Sequence, residues 1–196
     1  VNAVFALSVP PMRTSPAAMD QADIGDNFFY VAYFQQRGVA EAELDADVRK
    51  SLRMQHYAMS GDAPAGLYLQ SKPATAKLLD GLIDPDTLPT WLTEEDLNVY
   101  CDAYRDGFRG PINWYRNGRS PELTRRLQSA AISQPCHFMV GTKDPALMLL
   151  RDAYDNLERN IRDLRGNVVL EGAGHWLPLE RTDEVNAALL SFVGGL

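Results

Sequence analysis

Asp144 and His175 are the two residues whose surroundings point most directly to chemistry. Asp144 follows a short apolar run, Pro135-Cys136-His137-Phe138-Met139-Val140-Gly141, in the turn Gly141-Thr142-Lys143-Asp144-Pro145. His175 follows a second such run, Asn167-Val168-Val169-Leu170-Glu171, in Gly172-Ala173-Gly174-His175-Trp176. Both runs read as buried strands. In open α/β sheets, ligands bind at the carboxyl ends of strands. Two glycines ahead of a histidine let a loop place an imidazole tightly. A carboxylate beside an imidazole fixes its tautomer and stabilises its charged form, so the ring can accept a proton. Alone, Asp144 is an ordinary turn former and His175 an ordinary polar group before a helix. Their pairing on successive strand ends is the acid-then-base order of a triad whose nucleophile comes first.

That order calls for a G-x-S-x-G or G-x-D-x-G elbow between a strand and a helix. The 196 residues contain none. Ser60-Gly61-Asp62 is the nearest look-alike, but a helical segment precedes it, so it reads as a loop. The elbow would belong before Val1-Asn2-Ala3-Val4-Phe5-Ala6-Leu7-Ser8-Val9-Pro10-Pro11, itself a buried-strand pattern closed by prolines. A sequence that opens inside a strand suggests the C-terminal portion of something longer. Two tyrosines complete the chemistry. Tyr33 lies in the aromatic-rich segment 27–36, and Tyr115 in Gly107-Phe108-Arg109-Gly110-Pro111-Ile112-Asn113-Trp114-Tyr115-Arg116-Asn117. A phenol can donate a hydrogen bond to an oxygen that gains charge as a bond breaks. Two phenols converging on one ether oxygen would stabilise the alkoxide of an opening epoxide. Trp114 reads as a packing residue.

The elements that must position these groups divide the chain by texture. Residues 1–19 form a core strand and loop, and 131–196 alternate strand and helix, the rhythm of a parallel sheet with crossovers. The helix expected between the two strands covers 147–164, and a last helix covers 182–193. Between these parts, 20–130 read as an inserted helical cap. Its helices are expected over 39–59, after Pro73 to about Gly81, over 94–105 with Thr93 as N-cap, and over 121–131 capped by Ser120. Met12 to Gly25 and Ser60 to Gly66 read as loops.

Composition narrows the partners. Hydrophobic residues make up 45% of the chain, as in globular domains. The net charge of −7, with Lys and Arg scattered, argues against nucleic acid. No apolar run reaches the roughly 18 residues of a membrane span, and the apolar start lacks a basic secretory leader. Cys101 and Cys136 are isolated, so no disulfide framework or cysteine zinc site is expected. The reading is a cytoplasmic α/β protein with neither cofactor nor metal.

The chain resembles the epoxide hydrolases of the α/β-hydrolase superfamily. The resemblance rests on Tyr33-Phe34-Gln35-Gln36-Arg37-Gly38-Val39-Ala40-Glu41-Ala42-Glu43-Leu44, on Gly107 to Asn117, on the Asp144 turn, and on Gly174-His175-Trp176 followed by Asp183-Glu184-Val185-Asn186. Leu7-Ser8-Val9-Pro10-Pro11 looks like the strand after that family's nucleophile helix. The resemblance implies that Tyr33 and Tyr115 bind and protonate the epoxide oxygen, that Asp144 is the charge-relay acid, and that His175 activates water against an ester intermediate. Phe34 and Trp176 would join the two tyrosines in lining the substrate site. The family's nucleophilic Asp and its His-Gly-x-Pro oxyanion segment have no counterpart here, and Arg37 stands where a Pro is usual. The implied partners are a small apolar epoxide and an N-terminal segment that carries the nucleophile and pairs with the first strand; a homodimer is possible. The alternatives are an esterase, a haloalkane dehalogenase, or a non-catalytic binding homologue.

Overall fold

The computed structural model describes residues 1–12, 26–117, 121–129 and 131–196. The chain divides into two compact units: Val1–Met12, Met59–Tyr68 and Ala130–Leu196 in one, Arg13–Ala58 and Leu69–Ser129 in the other. All but the first residue of the loop expected over Met12 to Gly25, and the Ser120 cap, lie outside the described residues.

The first unit is built on three parallel strands, β1 (Val4–Leu7), β2 (Ile132–Gly141) and β3 (Ile161–Leu170), in the order β1-β2-β3. Side chains alternate between the faces of a strand, and both faces here are apolar. Val4, Ala6, Cys136, Phe138 and Val140 pack with Leu147, Leu157 and Ile161 on one side. Phe5, Leu7, Met139, Val168 and Leu170 pack with Ala173, Leu177 and Val185 on the other. Helices α7 (Pro145–Leu149), α8 (Arg151–Asp155) and α9 (Leu157–Asn160) follow β2; α10 (Leu177–Glu180) and α11 (Thr182–Gly194) follow β3. Covering both faces is what a parallel sheet requires.

Two expectations are corrected here. The single helix over 147–164 is three short helices, and β3 begins at Ile161, not Asn167. The apolar spacing of Leu157, Ile161 and Leu164 fits a helix, but Ile161 pairs with Ile132 on β2 and is buried as a strand residue. The segment Met59–Tyr68, read as part of the cap, belongs to the sheet unit.

The second unit contains α1 (Tyr30–Gln35), α2 (Val39–Leu44), α3 (Val48–Ala58), α4 (Glu94–Ala103), α5 (Arg109–Arg116) and α6 (Pro121–Ser129). Its core includes Tyr33, Phe34, Leu44, Leu97, Phe108 and Ile112. Thr93 caps α4: its Oγ1 accepts the Asp96 N–H at 3.1 Å, and Asp96 accepts the Thr93 N–H in return. The helix expected after Pro73 is a set of turns. Glu43 accepts the N–H groups of Leu78 and Leu79, Asp80 accepts that of Lys77, and these remote or local carboxylates take the place of helical carbonyls. Trp114, expected to pack, is 71% exposed. The buried stripe of α5 runs through Phe108, Ile112 and Tyr115 at helical spacing, and a residue two past Ile112 faces the other way. Among the described residues no helix is long and apolar enough to cross a membrane.

Candidate active site

Asp144 caps α7. Its Oδ1 accepts the Ala146 N–H at 2.7 Å, and Pro145 occupies the first turn, where its missing N–H costs nothing. The carboxylate is fully buried and lies 3.0 and 3.2 Å from Nδ1 of His175. With Nδ1 protonated and donating to Asp144, Nε2 is the nitrogen left to accept a proton. The imidazole keeps 20% of its side-chain surface exposed. Trp176 stands edge-on to it, ring centroids 5.0 Å apart.

The two strand ends are tied at the backbone. Lys143 N–H donates to the Ala173 carbonyl at 2.9 Å and Thr142 N–H to that of Leu170 at 3.0 Å. Gly141 permits this approach, because a Cβ there would lie 2.1 Å from the Ala173 oxygen. Ser8, just past β1, holds a left-handed φ of 64°, uncommon outside glycine. Its N–H binds the Met139 carbonyl, and its hydroxyl donates to the His175 carbonyl at 2.8 Å.

The aromatic cluster of the second unit rearranges the expected tyrosine pair. Tyr33 is buried, and its hydroxyl donates to Glu43 at 2.8 Å. Burial, then the bond to Glu43, push this phenol's pKa up. The ring beside Tyr115 is instead Tyr30, with centroids 5.6 Å apart and nearly perpendicular; Phe34 is 5.1 Å away on the same helix. Burial raises both phenol pKa values, with the charge of Tyr115 adding to that of Tyr30 and the charge of Tyr104 adding to that of Tyr115. Tyr30 was not singled out because the sequence offered two tyrosines three residues apart. The signal was the i,i+4 spacing of Tyr30 and Phe34, which puts them on one helical face.

Arg116 fixes this cluster. It pairs bidentately with Glu41 at 2.5 and 3.0 Å and donates Nε to the Phe34 carbonyl at 2.6 Å. Gln35 donates to the Tyr115 carbonyl at 3.1 Å. These bonds join α5 to α1 and α2. The arginine holds the Glu41 carboxyl down at about 2. Among the described residues, no three His, Cys, Asp or Glu side chains gather as a metal site.

A parallel sheet with helices on both faces, presenting an acid and a histidine at adjacent strand ends, is the C-terminal part of an α/β-hydrolase fold. No family model matches the chain. It is 39% identical over 203 residues to epoxide hydrolase A of Mycobacterium tuberculosis, covering 100% of this chain and 62% of that relative. The crystal structure of epoxide hydrolase A from Mycobacterium thermoresistibile matches with TM-score 0.87 at 42% identity, over 100% of this chain and 62% of that one. An epoxide hydrolase from an endophytic Streptomyces matches with TM-score 0.88 at 37% identity, over 99% and 61%. Over its whole length the chain is thus similar to epoxide hydrolases of the α/β-hydrolase superfamily, and it spans about three fifths of the length of these relatives.

Proposed function

We propose that this chain supplies the acid, the base and the oxygen-binding phenols of an epoxide hydrolase, with the nucleophilic Asp carried by a segment outside these 196 residues. The observation that carries the proposal is the Nδ1 of His175 at 3.0 Å from the fully buried Asp144. In the first step the external carboxylate attacks an epoxide carbon, the ring C–O bond breaks, and the leaving oxygen takes a proton from a phenol. We assign that donation to Tyr30 and Tyr115, since they are adjacent and Tyr33 is bonded to Glu43. In the second step water attacks the ester carbonyl and gives a proton to His175 Nε2. The acyl C–O bond breaks, one proton of that water passes through the imidazolium to the leaving alkoxide to release the vicinal diol, and its other proton goes to the phenolate as the carboxylate is restored. Asp144 holds the ring tautomer and stabilises the imidazolium. Phe34 lies against Tyr115 and Trp176 against His175, and we assign to each an apolar contact with a small epoxide. Paired phenols suit an alkoxide better than a halide or an acyl group, which disfavours the dehalogenase and esterase alternatives.

The four residues of β1 are all apolar and half-buried, on the edge of the sheet. An edge of this kind invites pairing, and we assign to it a strand of the nucleophile-bearing segment; in its absence a second copy would take the place. Two free cysteines suit a cytoplasmic setting.

The test joins the 196 residues to the preceding segment of Mycobacterium tuberculosis epoxide hydrolase A and assays a terminal aryl epoxide. Diol formation, with the first turnover in H₂¹⁸O delivering unlabelled oxygen from the enzyme carboxylate, is expected. A folded fusion that forms no ester would overturn the proposal.

A further inference from the structure

His175 lies on a loop, and its own backbone groups and the N–H groups on either side of it are engaged. Its N–H donates to the Met59 carbonyl at 2.9 Å, and its carbonyl accepts from Ser8. The amides on either side of it meet at one side chain. Gly174 N–H donates to Oε2 of Glu180 at 2.9 Å, and Trp176 N–H to Oε1 at 2.9 Å. The same Oε2 accepts the Gly61 N–H at 2.8 Å. The Gly61 carbonyl in turn accepts from Nζ of Lys143, the neighbour of Asp144, at 2.6 Å. The peptide of Gly61 is thus held by side chains that flank the base and the acid. The contact is too close for any residue but glycine: a Cβ on Gly174 would lie 2.4 Å from the Gly61 nitrogen.

We propose that Glu180 is a positioning residue for His175. Its carboxylate locks the imidazole-bearing loop against Gly61, so that Nδ1 stays on Asp144 and Nε2 stays available to water. Three backbone donors on one carboxylate are charge-assisted bonds, the strong kind, and two of them bracket the histidine. Without the carboxylate these amides must find water, and the peptides on both sides of His175 gain freedom to rotate. Glu180 bonds to backbone amides, so ring opening by the external carboxylate does not depend on it, whereas ester hydrolysis does. The inference rests on the reading of His175 as the base.

Two measurements test it. In the 196-residue chain, NMR reads the amides of Gly61, Gly174 and Trp176 and the Nδ1 proton of His175. Glu180→Ala is expected to shift those three amides together, speed their exchange with solvent, and broaden the Nδ1 proton. In the fusion protein, rapid quench separates ester formation from ester hydrolysis. Glu180→Ala is expected to slow hydrolysis about tenfold to a hundredfold, as small misplacements do, with ester formation and its KM unchanged. Glu180→Gln retains one oxygen acceptor and falls between. Ser8→Ala removes a separate hold and gives a smaller loss in the same step. Equal slowing of both steps, or an unchanged Nδ1 proton in both Glu180 variants, would overturn the proposal. The NMR arm decides even if the fusion forms no ester, a failure that would count against the epoxide-hydrolase reading alone.

Discussion

The histidine and the tyrosines are held by different means. His175 sits on a loop fixed through its backbone, by Met59, Ser8 and Glu180, and one side-chain bond to Asp144 sets its ring. Tyr30 and Tyr115 sit on helices, wedged among rings and secured by the Arg116–Glu41 pair and by Gln35. The difference suits the chemistry proposed for each group. An imidazole that moves protons must present one nitrogen in one tautomer, so its orientation needs directional bonds from several sides. A phenol that exchanges its proton through a single oxygen needs a fixed ring and a hydroxyl at the right depth, which packing supplies. Loops with engaged backbone and helices with buried ion pairs are two routes to the same rigidity.

Substitutions can break this comparison in order of size. His175→Gln in the fusion protein should slow ester hydrolysis by about 10²–10⁴-fold, the range for a general base, while the ester accumulates to one per enzyme by rapid quench. Steady turnover at the normal rate would remove His175 from the mechanism. Tyr30→Phe and Tyr115→Phe should each slow ester formation by about 10²–10³-fold, as loss of one oxyanion donor does. Tyr33→Phe should leave it nearly unchanged, and the reverse ranking would return Tyr33 to the role expected from sequence. Arg116→Met should cost about 3 kcal/mol in urea denaturation, because it strands Glu41 with only 15% of its side chain exposed. The pair also sets a pH window. The Glu41 carboxyl is lowered from 4.5 to about 2 in the folded chain, so its contribution is full above 4.5 and is lost as pH falls towards 2. Glu41→Gln should flatten stability across that window. Gly107→Ala should cost about 1–2 kcal/mol for its φ of +84° alone, and more because the new Cβ would meet Asp45 at 2.7 Å; a thermal melt reads this smallest effect.

The strand ends that carry Asp144 and His175, and the Thr93 cap, were legible in the sequence because their signals are local. A short apolar run followed by Gly and a polar residue, or Thr three before Asp, specifies its own backbone. What the chain alone did not reveal depends on partners far along it. The acidic run Glu41, Glu43, Asp45 reads as charge at a helix start. In the fold each member secures a distant segment: Glu41 binds Arg116, 75 residues away, Glu43 takes Tyr33 and the amides of Leu78 and Leu79, and Asp45 takes the Phe108 N–H, 63 residues away. Glu43 accepts from the Tyr33 hydroxyl, whereas the Tyr30 ring meets Tyr115. The start of β3 and the place of Met59–Tyr68 were decided in the same way, by Ile132 opposite Ile161 and by the bonds of Met59 and Gly61 to His175 and Glu180. Residue type and spacing determined which chemistries this protein could hold. Hydrogen bonds between segments far apart in the chain decided how those side chains are held, because a buried donor or acceptor must be satisfied wherever in the chain its partner lies.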